Sequence, residues 1–209
     1  TVDNAVAGGF RVFYNTSHVS TADDDFSARS GEAIFAGLVN ETQRISVTVY
    51  GDYQHELDEM FEFRTQVVTG STSSAITIDS SVHTHHIVKD DAAAIITSLT
   101  TLNLTEGGSP SAYSVVLGSQ PTADVTIMLT ANAAAAQGTG DSTSHVTVLP
   151  TQLLFSSLNW SEPQTVTVTA LDENIINVQP NAYDIDHTAV TGDPFYINEG
   201  ARVAAYLSL

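Results

Sequence analysis

The stretch Gly51–Phe61 (GDYQHELDEMF) carries four acids, Asp52, Glu56, Asp58 and Glu59, within eight residues, and neither lysine nor arginine lies among them. Carboxylates pinned ~4–6 Å apart repel one another, and the repulsion becomes costly where the backbone holds them together. A hard cation removes that cost, and calcium, which takes about six to eight oxygen ligands, suits a loop rich in carboxylates and carbonyls. The same residues also suit a solvated acidic hairpin loop, and both readings stand at this point. A second constellation is Val82-His-Thr-His-His86, in which His83 and His85 share one face of a strand at a spacing able to chelate a transition metal. Solvent-facing strand histidines are the commoner case. Serine, histidine and aspartate are all present, but no Gly-x-Ser-x-Gly elbow or His-Glu-x-x-His pair accompanies them, so the chain is not expected to be an enzyme. Gly107-Gly108 and the glycines at 138 and 140 read as turns, since none follows a strand and opens a helix. Asn15, Asn40, Asn103 and Asn159 head Asn-x-Ser/Thr sequons.

Composition narrows the partners. The 209 residues hold 24 acids against six bases, a formal charge of −18, which argues against nucleic acid and anionic membranes and favours cation binding. There is no cysteine, hence neither a disulfide framework nor a thiolate metal site. No run approaches the ~18 apolar residues of a membrane helix, so no membrane insertion is expected. Thr1 opens without a signal peptide, and the chain reads as a mature or excised segment of something longer.

The elements that must position these residues are strands. Period-two alternation bounded by Gly, Asn, Asp and Ser predicts strands over Phe10–Tyr14, Glu32–Phe35, Ile45–Tyr50, Met60–Val67, Ala75–Ile78 and Val82–Val88 in the first half. Phe61, Phe63 and Val67 fall on one strand face, with Glu62, Arg64 and Gln66 on the other, which implies sheet packed on sheet. The second half predicts Leu99–Thr105, Ala112–Leu117, Val125–Thr130, Val146–Leu149, Gln152–Phe155, Thr165–Ala170, Ala182–Thr188 and Val203–Leu209. Residues 131–144 (ANAAAAQGTGDSTS) lack bulky side chains and read as a loop.

An internal echo divides the chain. Phe35-Ala-Gly-Leu38 followed by Asn40-Glu-Thr-Gln43 recurs as Phe155-Ser-Ser-Leu158 followed by Trp160-Ser-Glu-Pro-Gln164, with a one-residue slip in register. The expected fold is all-β: two tandem immunoglobulin-like sandwiches, residues 1–94 and 95–209, the first with its opening strand truncated or missing.

At these motifs the chain resembles a known family. Ala22-Asp-Asp-Asp25-Phe26 with Ser30-Gly-Glu-Ala-Ile-Phe35, then Gly51-Asp52 with Glu56-x-x-Glu59-x-Phe61, and then Asp90-Asp91, are similar to the ordered motifs of Calx-beta domains. Those are the calcium-binding sandwiches of sodium–calcium exchangers and many bacterial surface proteins. The second half, through Leu104-Thr-Glu106-Gly-Gly108, Pro163-Gln-Thr-Val-Thr-Val-Thr169 and Asp193-Pro-Phe-Tyr196, resembles divergent repeats beside such domains in large adhesins. The resemblance implies a calcium cofactor held in the first module by Asp25, Asp52, Glu56, Glu59, Asp90 and Asp91. It implies a sparser set, Glu106, Asp172 and Glu173, in the second, where Asn177 stands near the expected loop glutamate. Gly51 and Ala92 replace acids common in the family.

The implied role is structural: a calcium-stiffened extracellular or cell-surface module of an adhesin, surface fibre or filament, partnered by neighbouring modules of the same or an identical chain. Two alternatives stand beside it. One is a module binding a cell-surface glycan or protein through loop residues such as Trp160 and Tyr196; the other is an accessory domain of a large secreted enzyme. A first sandwich lacking a strand also exposes an edge that a neighbouring subunit could complete.

Overall fold

The computed structural model describes residues 2–68, 76–78, 81–133, 145–172 and 181–208. Every regular element among them is a strand, so the fold is all-β. Contacts divide the chain into two units, one formed by Thr1–Asp52 and Leu57–Lys89, the other by Tyr53–Glu56 and Asp90–Leu209. The residues just before Ala94 go with the second unit because Ala94 accepts a hydrogen bond from Gly118 N–H (2.8 Å) and Ala93 N–H donates to His55 Nδ1 (3.2 Å).

The first unit contains one antiparallel sheet of β1 (Phe10–His18), β2 (Ser30–Phe35), β3 (Glu59–Val68) and β4 (Val82–Ile87), in the order β2-β1-β3-β4. Alternation gives it two chemically distinct faces. On one face Arg11 pairs with Glu32 (3.1 Å) and Arg64 with Glu62 (2.5 Å). On the other, Phe10 stacks on Phe35 opposite it (4.8 Å), Val12 faces Ala33, and His18, Phe61 and His85 form one cross-strand row. Phe26, only 1% exposed, lies over that row, 4.6 Å from the His18 ring and 4.4 Å from Phe61, while His85 stacks on Phe61 at 5.0 Å.

The segment expected as a strand over Ile45–Tyr50 is not one. Its isolated bridge joins Val49 to Phe26, flanked by Ser27 N–H to Thr48 O and Tyr50 N–H to Asp25 O, both 2.8 Å. The alternation that suggested a strand is real, with Ile45 and Val47 half-buried and Arg44, Ser46 and Thr48 exposed. It reports which side faces the sheet, however, and not whether a neighbour exists to pair the backbone. Residues 76–78 likewise form no strand, and Ala75 lies outside the described residues. Gly37 (φ 86°) makes the turn after β2, where a Cβ would sit 2.0 Å from Val6 O; no other residue type fits.

The second unit is a two-sheet sandwich. One sheet holds β6 (Thr101–Thr105), β8 (Val125–Ala133), β10 (Gln152–Phe155), β12 (Asn181–Thr191) and β13 (Gly200–Ser208), ordered β10-β8-β12-β13-β6, with β6 and β13 parallel. The other holds β5 (Ile95–Thr97), β7 (Ser111–Leu117), β9 (Val146–Leu149) and β11 (Gln164–Ala170), ordered β5-β7-β11-β9. Val115, Val166 and Val168 from one sheet and Ile127, Ile185, Val203 and Ala205 from the other are fully buried between them.

The sequence echo has a structural counterpart. In the first unit Gln43 Nε2 donates to Ile34 O (2.9 Å), the carbonyl one residue before Phe35; in the second Gln164 Nε2 donates to Leu154 O (2.7 Å), one residue before Phe155. Each intervening turn is held by a side-chain acceptor: Glu41 takes the Ala36, Gly37 and Leu38 N–H groups, and Asn159 Oδ1 takes Ser156 N–H. The two units share one plan, in which β2 corresponds to β10 and the extended segment after Gln43 to β11.

Candidate metal centre

Asp25, Glu56 and Glu59 are brought together, each offering a carboxylate oxygen, all within 4.8 Å of one another. Asp25 is buried (8% exposed) at the end of the turn that follows β1. Its Oδ2 accepts the Ala22 N–H, its carbonyl accepts Tyr50 N–H, and its neighbour Phe26 is fixed in the ring column. The preceding loop is tied to the start of β3: Val19 and Ser20 N–H donate to Met60 O, and Met60 N–H donates to Ser20 Oγ (2.8 Å). Those bonds set Asp25 beside Glu59, which opens β3, and Glu56 lies three residues upstream in the same loop.

Three anionic oxygens at this separation suit a hard cation. Two oxygens that each lie about 2.4 Å from one ion can be at most about 4.8 Å apart, so the spacing meets the necessary condition for one calcium ion to be shared, with carbonyls or water completing its shell. The donor set contains only oxygen, which suits calcium better than the softer transition metals.

The other predicted residues are placed differently. Among the described residues Asp52, Asp90 and Asp91 stand outside this three-acid cluster. The backbone of Asp91 is nonetheless adjacent to the acidic loop, its carbonyl 2.8 Å from His55 Nδ1. Asp58 turns aside to accept the Lys89 N–H (3.1 Å). In the second unit Asp172 lies against Gly107, its carboxyl carbon 3.5 Å from where a Cβ would be, so it neighbours the turn that begins at Glu106. Glu173 and Asn177 fall outside the described residues. His83 and His85 face the inner side of the sheet, opposite Phe63 and Phe61, and no cluster of three metal-ligating groups among the described residues includes a histidine.

The loop aromatics also separate. Tyr196 is buried (1% exposed), its hydroxyl donating to Ser119 O (2.7 Å) and accepting Ser119 N–H (3.0 Å), so it is a core residue and no ligand platform. Trp160 packs against the second core and meets the exposed Tyr53 ring at 5.8 Å. Sequence reasoning missed the buried pair formed by Tyr113 and His187, with Tyr113 O–H 2.8 Å from His187 Nε2. Burial pushes the His187 pKa below its ordinary value, against the smaller upward pull of the Ala201 and Ile185 backbones and of Asp186. The alternation of β12 marks His187 as inward-facing, and that was the available signal.

The chain is similar in structure to the calcium binding domain CBD12 of CALX1.1, with 18% identity, a TM-score of 0.51, and coverage of 97% of this chain and 88% of that one. It is also similar to CBD12 from CALX1.2 (18% identity, TM-score 0.45, 99% and 89% coverage). A third likeness is to the periplasmic chaperone SfaE (9% identity, TM-score 0.43), covering 55% of this chain and 57% of the chaperone. No protein-family model matches the sequence, and no curated protein matches it. The fold is a Calx-beta-like tandem β-sandwich.

Proposed function

We propose that the chain is a calcium-binding structural module of an extracellular adhesin, surface fibre or filament, and not an enzyme. The observation that carries the reading is the convergence of Asp25, Glu56 and Glu59 within 4.8 Å in a Calx-beta-like fold. Calcium neutralises their mutual repulsion and ties the Asp25 turn to the acidic loop. Binding only the folded state, it adds RT ln(1 + [L]/Kd) to stability, about 2.7 kcal/mol at ~100 times Kd. That is a large share of the ~5–15 kcal/mol that holds an ordinary domain folded. Asp52, Asp90 and Asp91, on the flanks of the same loop, are candidates for completing the shell or holding a second ion. The net charge of −18 supports cation affinity and an exposed, soluble setting.

Calorimetric titration of the chain with calcium, with magnesium as competitor, tests this. Calcium uptake with a matched rise in melting temperature, reversed by chelator, is the expected result. Absence of calcium uptake at millimolar concentration would remove the reading.

A further inference from the structure

The chain has six prolines, and only Pro194 follows an aspartate. An Asp–Pro bond is an acid-labile link in a polypeptide, because the aspartate can cut its own backbone. The side-chain carboxylate attacks the carbonyl carbon of its own residue and closes a cyclic anhydride. The C–N bond to proline breaks as the proline nitrogen, a tertiary amide more basic than an ordinary peptide nitrogen, takes up a proton from solvent. Water then opens the anhydride. The sum is hydrolysis, leaving a carboxyl terminus at Asp193 and a secondary amine at Pro194.

The turn between β12 and β13 holds the attacking group still. Asp193 is 1% exposed. Its Oδ2 accepts the Thr122 N–H (2.7 Å) and the Thr122 hydroxyl (2.9 Å), and its Oδ1 accepts the Phe195 N–H (2.8 Å). Its own N–H donates to Thr191 Oγ1 (3.0 Å), whose hydroxyl donates to Asp124 O (2.7 Å). Neither carboxylate oxygen can swing over the carbonyl carbon without giving up at least one of these bonds. The rest of the scissile bond is ready. Its carbonyl is polarised by the Tyr196 N–H (3.2 Å), and Pro194 is exposed to solvent acid. The restraint therefore lies on the carboxylate. Burial alone would raise the Asp193 pKa, but the N–H groups of Thr122 and Phe195 and the Thr122 hydroxyl bring it below its ordinary value. The other titratable groups about the turn are Asp124, Tyr196, Glu199 and His55, whose ring meets Phe195 at 4.5 Å.

We propose that Asp193–Pro194 is a latent self-scission site, kept closed by the clamp of Thr122 and Phe195 on the Asp193 carboxylate and opened when that turn comes apart. Asp193 is the nucleophile and Thr122 is a positioning residue. The reading is independent of calcium. The cut falls between β12 and β13, and β13 is paired with β12 along Gly200–Leu207 and with β6 along Ala204–Ser208. A chain nicked during a brief opening can therefore reassemble, and the break shows when it next unfolds. The bond records whether the module has come open in acid.

The test incubates the whole chain at about pH 4, near the ordinary carboxyl pKa, and follows the fragment beginning at Pro194 by mass spectrometry. Circular dichroism reports whether each sample is folded. The parent in concentrated urea should be cut at least about tenfold faster than the folded parent. Thr122 is exposed, so Thr122→Val removes its hydroxyl without opening the core. That variant should be cut about tenfold faster than the parent when folded, and at the parent's rate in urea. Val168→Ala is the control for general loosening, since Val168 faces Ser111 at the other end of β7 from the clamp; its folded rate should stay near the parent's. Asp193→Asn, which lacks the nucleophile, should resist scission even in urea. Equal rates for folded and urea-treated parent would overturn the proposal, as would Thr122→Val cut no faster than Val168→Ala, or Asp193→Asn cut as fast as the parent. If Thr122→Val does not fold at this pH, the parent's ratio and the Asp193→Asn result decide.

Discussion

Replacing Glu56 with Gln keeps the shape of the side chain and removes one of the three converging charges. At 4.8 Å two unit charges repel by about 1 kcal/mol with the screening of bulk water and by about 3.5 kcal/mol at an effective dielectric constant of 20. The loop is partly exposed, so relief near the lower figure is expected. In chelator, therefore, Glu56→Gln should melt as high as the parent or a few degrees higher. Calcium reverses the order. At ~100 times the parent's Kd the parent gains about 2.7 kcal/mol, and a variant whose Kd is about a hundredfold weaker gains about 0.4 kcal/mol. For a unit of this size each kcal/mol moves the melting temperature by about 4–8 °C. The parent's calcium-sensitive transition should rise by about 10–20 °C and the variant's by about 2–3 °C. Scanning calorimetry with calcium and with chelator reads both numbers. A variant that melts several degrees below the parent in chelator, with an unchanged calcium increment, would show that Glu56 serves packing and that no ion sits among these carboxylates.

Three further outcomes follow from other contacts. Calcium should protect the amides around Asp25 and Glu59 in hydrogen exchange far more than those around Glu106 and Asp172, because no three-acid cluster among the described residues includes Glu106 or Asp172; equal protection would contradict this. Tyr196→Phe leaves Ser119 N–H and O without their hydroxyl partner in a buried site, and should cost about 2–4 kcal/mol in chemical denaturation of the second unit; a loss under about 0.5 kcal/mol would show that the turn relaxes. Since burial lowers the His187 pKa, the unfolded chain takes up that proton first as pH falls through ~6.5. Its contribution is thus present above that pH and lost below it, and denaturation of His187→Gln should show a flatter dependence between about pH 7.5 and pH 5; an unchanged slope would assign the effect elsewhere.

The second unit was the more legible half. Val146–Leu149 and Gln152–Phe155 are strands over the very residues that the alternation predicts, because each has a buried face and a paired backbone. Ile45–Tyr50 shows the same alternation with a single bridge among the described residues, and a local pattern carries no information about which backbone pairs with it. β5 escaped notice because three residues are too few to establish a period. In the acidic loop, spacing marked Glu56 and Glu59, whereas Asp25 came from motif resemblance and Asp58 turned out to cap Lys89. The sequence echo was legible as residue types; that its glutamines clamp equivalent carbonyls is a three-dimensional fact.

The parallel pairing of β6 with β13 has a consequence during synthesis. Thr101 faces Ala204 and Thr105 faces Ser208, so a strand made early in the second unit waits about a hundred residues for its partner. A ribosome adding ~5–20 residues per second leaves that edge open for several seconds, along with the apolar side chains of Leu102 and Leu104. Contacts so distant in sequence are also the slow ones to form. The nascent second unit is therefore vulnerable to mispairing until Gly200–Ser208 clears the exit tunnel, and a chain cut short before that strand should be captured by chaperones or degraded.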